Sequence, residues 1–315
     1  MDDKFNVTYI SFNGYVEVQR YRYLYFFIML TVYFLIICCN STIVFLIWKQ
    51  KNLHEPMYIF IAALLTNSVV LSSAVYPKFL IDFLSERQII SYSACLFQFF
   101  IFYSIGSSEF LLLSAMAYDR YVSICKPLQY PTIMRKNTVC TLLFFAWLVP
   151  ACHIAIPAIL SAKNRLCHFT LKAIFCNNTI YRLQCVRSRL ITIYGVVSLV
   201  DLALIPLLFI IFTYIKILIV AFQSCREVRK KAAETCLPHL LVLISYSCLC
   251  AYDISIARVE SNIPKTARFI MMLQTVFYNP LLNPLIYGLK MKEISKHLKK
   301  LFFPAKTVLC IKTDH

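Results

Sequence analysis

Seven stretches of this chain are long and apolar enough to cross a lipid bilayer: about residues 24–48, 57–81, 96–120, 138–161, 191–222, 237–258 and 267–288. A hydrocarbon core about 30 Å thick takes about 20 helical residues to span. Inside it no water can satisfy backbone N–H and C=O groups, so each run must close its own hydrogen bonds as a helix. The expected fold class is therefore an all-α membrane protein, a seven-transmembrane-helix bundle. Composition agrees: 60% of residues are hydrophobic, 15% are charged, and the mean hydropathy is +0.68. A soluble domain carries about 25% charged residues. The net charge of +17 resides in Lys and Arg lying between the apolar blocks, not in one stripe. Membrane lipids, rather than nucleic acid, are its expected partner.

An odd number of crossings puts the two termini on opposite sides. The sequons at Asn6 and Asn177, after zero and four crossings, share a side. Cys95, Cys167, Cys176 and Cys185 fall on that side too, where disulfides and glycans belong. Lys and Arg are modestly more frequent on the other side. The expectation is residues 1–23 outside, a seven-helix bundle at 24–289, and a cytoplasmic tail at 290–315. Met1 to Tyr23 lacks a cleavable signal pattern, so the first span is expected to serve as an uncleaved insertion signal. Asn40-Ser41-Thr42 also matches the sequon but lies inside span one and should be silent.

The third run ends in Met116-Ala117-Tyr118-Asp119-Arg120-Tyr121-Val122-Ser123-Ile124-Cys125-Lys126-Pro127-Leu128-Gln129-Tyr130. Asp119 and Arg120 at a membrane boundary form an ion pair that a cytosolic partner can break when helices shift. The string resembles the third-helix signature of vertebrate odorant receptors, a branch of the rhodopsin-like G-protein-coupled receptors, with Ser123 in place of the usual Ala. Leu53 to Tyr58 resembles the family's second-helix start in a fish-like form, Lys231 to His239 its sixth-helix start, and Pro280 to Tyr287 its seventh-helix PxLNPxIY. Four motifs in the right order cover most of the chain.

The resemblance implies disulfides Cys95–Cys176 and Cys167–Cys185, where the cysteines alone allow three connectivities. It implies a G-protein switch made by Asp119, Arg120 and Tyr121 with Tyr214, Asn283, Pro284 and Tyr287. Pro284 breaks the helix-seven ladder, and Asn283 is expected to satisfy the freed groups. Glu109 lies about 16 Å before Arg120, near mid-membrane. Ser68, Asn279 and Asn283 can offer oxygens beside it, so a sodium ion or a proton is expected there. No other cofactor or metal site is expected.

A ligand pocket is expected in the outer half of the bundle. Phe102, Tyr103, Gly106, Ser107 and Phe110 share one face of span three at helical spacing. Ser198, Asp201 and Leu202 are their expected neighbours from span five, and Cys250, Asp253 and Ile254 from span six. Span seven adds Leu273, Val276 and Phe277. Asp201 and Asp253 suit an amine, whereas the basic loop (Lys163, Arg165, Lys172, Arg182, Arg187, Arg189) suits an anion; both readings stay open. Ile244-Ser245-Tyr246-Ser247 departs from the family's usual Phe-Tyr-Gly. On the cytosolic side, Lys290 to Phe303 reads as an amphipathic helix lying on an anionic leaflet, and Cys310 as a lipidation candidate.

The expected function is an odorant receptor at the plasma membrane of olfactory cilia, coupled to the stimulatory G protein that raises cyclic AMP, with receptor chaperones as further partners. A metabolite sensor of the same architecture is the alternative. A transporter would show internal repeats, and an enzyme would show a nucleophile–base or metal cluster.

Overall fold

A computed structural model describes residues 8–186, 188–224, 226–258 and 264–302, without the side chains of 227–235, 252–258 and 302. Asn6, Arg187 and Cys310, and the side chains of Asp253 and Ile254, therefore lie outside the described residues. The helices are α1 (Val18–Lys49), α2 (Pro56–Leu84), α3 (Tyr92–Cys125), α4 (Lys136–Ala162), α5 (Arg189–Gln223), α6 (Arg226–Arg258), α7 (Lys265–Lys290) and α8 (Lys292–Phe302). Among the described residues six of these are long and apolar enough to cross a membrane, and α6 adds the apolar segment Cys236–Ala251.

Local chemistry sets the ends and breaks. Pro56 opens α2, where its missing N–H leaves no intrahelical bond unmade. The Ser91 hydroxyl caps α3 by accepting from the Ala94 N–H at 3.3 Å. Pro206 follows a π turn at Val200–Leu204, the widening that lets α5 continue past a residue that cannot donate. In α8 Ile294 is fully buried while Lys299 and Lys300 face out, the amphipathic division read in the sequence. Gly288 admits this packing, because a Cβ there would lie 3.2 Å from Leu298 Cδ1.

Large apolar side chains such as Phe34, Phe144 and Phe222 stand on the outside of the bundle. In water such a surface would drive aggregation; against lipid tails it is the expected face. Inside, one apolar cluster fills the outer half around Tyr76, Phe79, Phe102 and Val276, and another fills the inner half around Leu113, Met116 and Tyr287.

A small three-stranded sheet lies at the end of the bundle where α2 ends and α3 begins, and no sequence pattern announces it. Tyr9–Phe12 (β1) pairs antiparallel with Ile89–Ser91 (β2) and parallel with Thr170–Leu171 (β3), in the order β2-β1-β3. Residues 9–12, ahead of the first helix, are thus packed: Ile10 is fully buried, and α1 begins at Val18, earlier than the apolar run.

Candidate functional site

Asp119 is completely buried and both of its oxygens are engaged. Arg120 pairs with Oδ2 through Nη2 and through Nε at 3.0 Å. The Tyr130 hydroxyl donates to Oδ1 at 2.8 Å. Tyr130 reaches back because Pro127 ends α3 in a tight turn, Pro127–Gln129, that leads into the single helical turn Tyr130–Ile133. Burial, and then the Asp119 carboxylate, push the Tyr130 phenol above its ordinary range, so it remains a donor at physiological pH. Tyr130 closes the latch, a member of the switch that the Asp-Arg-Tyr triplet alone does not reveal. Tyr121 is partly buried beside it.

The inner ends of α5 and α6 are joined by a hydrogen bond between the Tyr214 hydroxyl and His239 Nδ1. Tyr287, fully buried on α7, has no hydrogen-bond partner for its hydroxyl in this conformation. The expected partners Tyr214 and Tyr287 are both interior, but it is His239 that holds Tyr214. The sixth-helix motif ends on His239 but does not reveal this contact.

Glu109, Ser68, Asn279 and Asn283 come together in the interior, but Asn283 turns its nitrogen, not its oxygen, to the carboxyl. Asn283 Nδ2 donates to Glu109 Oε1 at 3.1 Å and lies 3.3 Å from Ser68 Oγ. Asn279 is 4% exposed and approaches the same carboxyl. Asn283 Oδ1 has no partner. One expectation is corrected: Asn283 does not fill the gap that Pro284 makes. Pro284 cannot donate to the carbonyl of Pro280, four residues earlier, and Asn40 Nδ2 of α1 takes that carbonyl at 2.9 Å. Asn40, the sequon residue expected to be silent, is completely buried in this role. Asn67 is a second joint absent from the sequence reading. It accepts from Trp147 Nε1 at 2.8 Å and donates to Ser108 Oγ at 2.6 Å, which ties α2, α3 and α4 together.

The expected pocket residues divide between the two apolar clusters. Phe102, Tyr103, Leu202, Leu273, Val276 and Phe277 belong to the outer cluster, and Phe110 and Cys250 to the inner. Between them Tyr246 of α6 packs on Phe110 at 4.8 Å, and its hydroxyl donates to the Gly106 carbonyl. Ser107 is partly buried, as is Asp201 on the π turn. Ser198 is 8% exposed, with no partner for its hydroxyl. Phe277 points toward α2, where it meets Tyr76.

The loop at 162–190 covers this region. Cys176 is bridged to Cys95, and Cys167 to Cys185, as the resemblance implied. Phe175 drops from the loop onto Phe102, ring centroids 4.8 Å apart. The loop also overturns one expectation. Asn177 is 2% exposed, and its Oδ1 accepts from both the N–H and the hydroxyl of Thr179. The Asn-x-Thr spacing here makes a local turn, and a glycan on Asn177 has no room in the folded chain.

An ion latch at the inner rim, a buried carboxyl at mid-span and a disulfide-tied cover over a seven-helix bundle define a rhodopsin-like G-protein-coupled receptor. Squid rhodopsin shares the architecture, with a TM-score of 0.72 at 18% identity over 91% of this chain and 82% of that one. The chain belongs to the olfactory receptor family, whose family model matches residues 29–305. It is 34% identical to human olfactory receptor 11H2 over 283 residues, 87% of this chain and 85% of the relative. It is 32% identical to human olfactory receptor 11A1 over 310 residues, covering 97% and 95%. The protein is thus a multi-pass membrane receptor rather than an enzyme, taking a small-molecule ligand and coupling to a G protein.

Proposed function

We propose that this receptor binds a small odorant at the seam between the outer and inner clusters and activates the stimulatory G protein that raises cyclic AMP. It would do so at the plasma membrane, with its N-terminus outside, in the cilia of olfactory neurons. The observation that carries this reading is the fully satisfied latch. Asp119 spends both oxygens on Arg120 and Tyr130, so Arg120 is held away from any cytosolic partner until helices move. A ligand moves them only by preferring the other state. The floor of the seam, where Tyr246 bonds the Gly106 carbonyl, links α6 to α3 where a ligand would sit, and so couples the two ends. Glu109 would hold a proton or a sodium ion in the resting state, Asn283 Oδ1 being an unfilled oxygen beside it. The lysines of α8 would rest on anionic lipid, Asn6 would carry the glycan, and receptor chaperones would assist export.

The test is a panel of odorants applied to cells that report cyclic AMP, with Arg120→Ala as control. The expected outcome is a dose-dependent rise in the wild type and none in the variant. An equal rise in both would remove Arg120 from the mechanism.

A further inference from the structure

Residues 8–15 do more than lead into α1. After β1 the backbone keeps its grip on the loop at 162–190: the Asn13 N–H donates to the Leu171 carbonyl at 2.8 Å, and the Gly14 N–H to the Ala173 carbonyl at 3.1 Å. A Cβ on Gly14 would lie 2.5 Å from the Ala173 carbonyl carbon, so only glycine lets the two backbones meet. Tyr15 then turns inward, 6% exposed, with its ring 5.5 Å from Phe83 and 6.2 Å from Phe269. Its hydroxyl oxygen lies 3.0 Å from Asp82 Oδ2 and 3.2 Å from the Ile174 carbonyl, within donating distance of both. Lys78 pairs with the other Asp82 oxygen. Burial, then Asp82, push the Tyr15 phenol well above its ordinary range, so it stays a donor.

The next residue after Ile174 is Phe175, the side chain that rests on Phe102 and 6.4 Å from Phe79. The Cys95–Cys176 bridge, the Cys176 N–H on Gln98 Oε1 at 3.0 Å and the Asn178 N–H on the Tyr103 hydroxyl at 3.0 Å fasten the loop to α3 from residue 176 onward. Ahead of them, the strap bonds the carbonyls of Phe169, Leu171 and Ala173, and so helps to set how residues 169–175 approach the bundle.

We propose that Tyr15 is a positioning residue for odorant binding: it holds the loop at the depth where Phe175 closes the outer wall of the pocket, and the strap of residues 8–15 must part from the loop before a ligand passes. The proposal rests on the odorant-receptor reading, and it explains why an N-terminal segment is woven between two loops when a free tail would serve insertion equally well. A tyrosine retained for folding alone would not control the ligand's access.

The full-length receptor, purified in nanodiscs, provides a test without ligand. Tyr15→Phe keeps the ring contacts and removes the hydroxyl. Amide hydrogen exchange in residues 169–175 should quicken about tenfold, the effect of losing one buried hydrogen bond, with the inner ends of α3 and α7 unchanged. A second variant closes the strap: Ser11 Oγ and Thr170 Oγ1 lie 3.1 Å apart at the exposed surface, so Ser11→Cys with Thr170→Cys should form a disulfide, mapped by peptide mass. At matched surface level, the linked receptor should respond at least tenfold more slowly than either single variant to an odorant that activates both. Unchanged exchange in Tyr15→Phe, or an equally fast response in the linked receptor, overturns the proposal. Should no odorant activate even the single variants, the odorant reading fails, while exchange still decides whether Tyr15 positions the loop.

Discussion

Replacing Tyr130 by Phe removes one oxygen and leaves the ring. In the resting conformation that oxygen donates to a carboxylate with no solvent access, at 2.8 Å. A hydrogen bond to a charged group contributes about 1.5–3 kcal/mol. Tyr130 is itself only partly buried, so water can replace some of it, and the lower end of the range applies. If the active conformation lacks this bond because Arg120 has turned away, the whole loss falls on the resting state. At about 1.4 kcal/mol per factor of ten, the equilibrium moves about tenfold. A receptor active in about 1% of molecules, within the usual range for a minor state, would then be active in about 9%. The assay is cyclic AMP without odorant, normalised to receptor counted at the cell surface. Asp119→Asn, which also weakens the Arg120 pair, should exceed Tyr130→Phe, whereas Arg120→Ala should give no signal. Basal activity in Tyr130→Phe at or below wild type, at matched surface level, would show that the Tyr130 bond does not favour the resting state.

Other consequences are open to direct measurement. Asn67→Ala leaves the part-buried Trp147 N–H unpaired and unties α2 from α3 and α4, so it should lower the unfolding midpoint of purified receptor, at a cost of about 1–3 kcal/mol; Trp147→Phe in the same background should recover part of the loss. Gel mobility should separate the sequons: Asn6→Gln removes a glycan, while Asn177→Gln leaves mobility unchanged and weakens the loop by losing the Thr179 turn. Leu128, in the turn between Asp119 and Tyr130, is an apolar side chain left 95% exposed by the described residues. Leu128→Ala should reduce nucleotide exchange on the G protein several-fold while odorant affinity measured without G protein stays the same.

The legible parts of this protein were those governed by one-dimensional patterns. Run length against bilayer thickness predicts the spans, and α2, α3, α4 and α7 begin and end within a few residues of them. Asp119 beside Arg120, and Glu109 with Asn283, were visible because a charge in an apolar run has few places to go. β1 was missed because four residues of alternating burial, Tyr9 to Phe12, are too short a signal before a long helix. Asn177 misled for a related reason: a sequon and an Asn–Thr turn are the same letters, and only burial separates them.

From residue order alone came the number of spans, their lengths and the polar residues inside them, since the cost of an unbonded peptide group in hydrocarbon is settled within each run. Which of those polar residues meet was decided only by packing. Asn40 rather than Asn283 serves the carbonyl that Pro284 leaves free, His239 holds Tyr214, and Tyr15 reaches Asp82 and Ile174 across 67 and 159 residues of chain. A hydrogen bond acts over about 3 Å, so its partner is chosen by where the helices come to rest, and no local pattern in the chain encodes that distance.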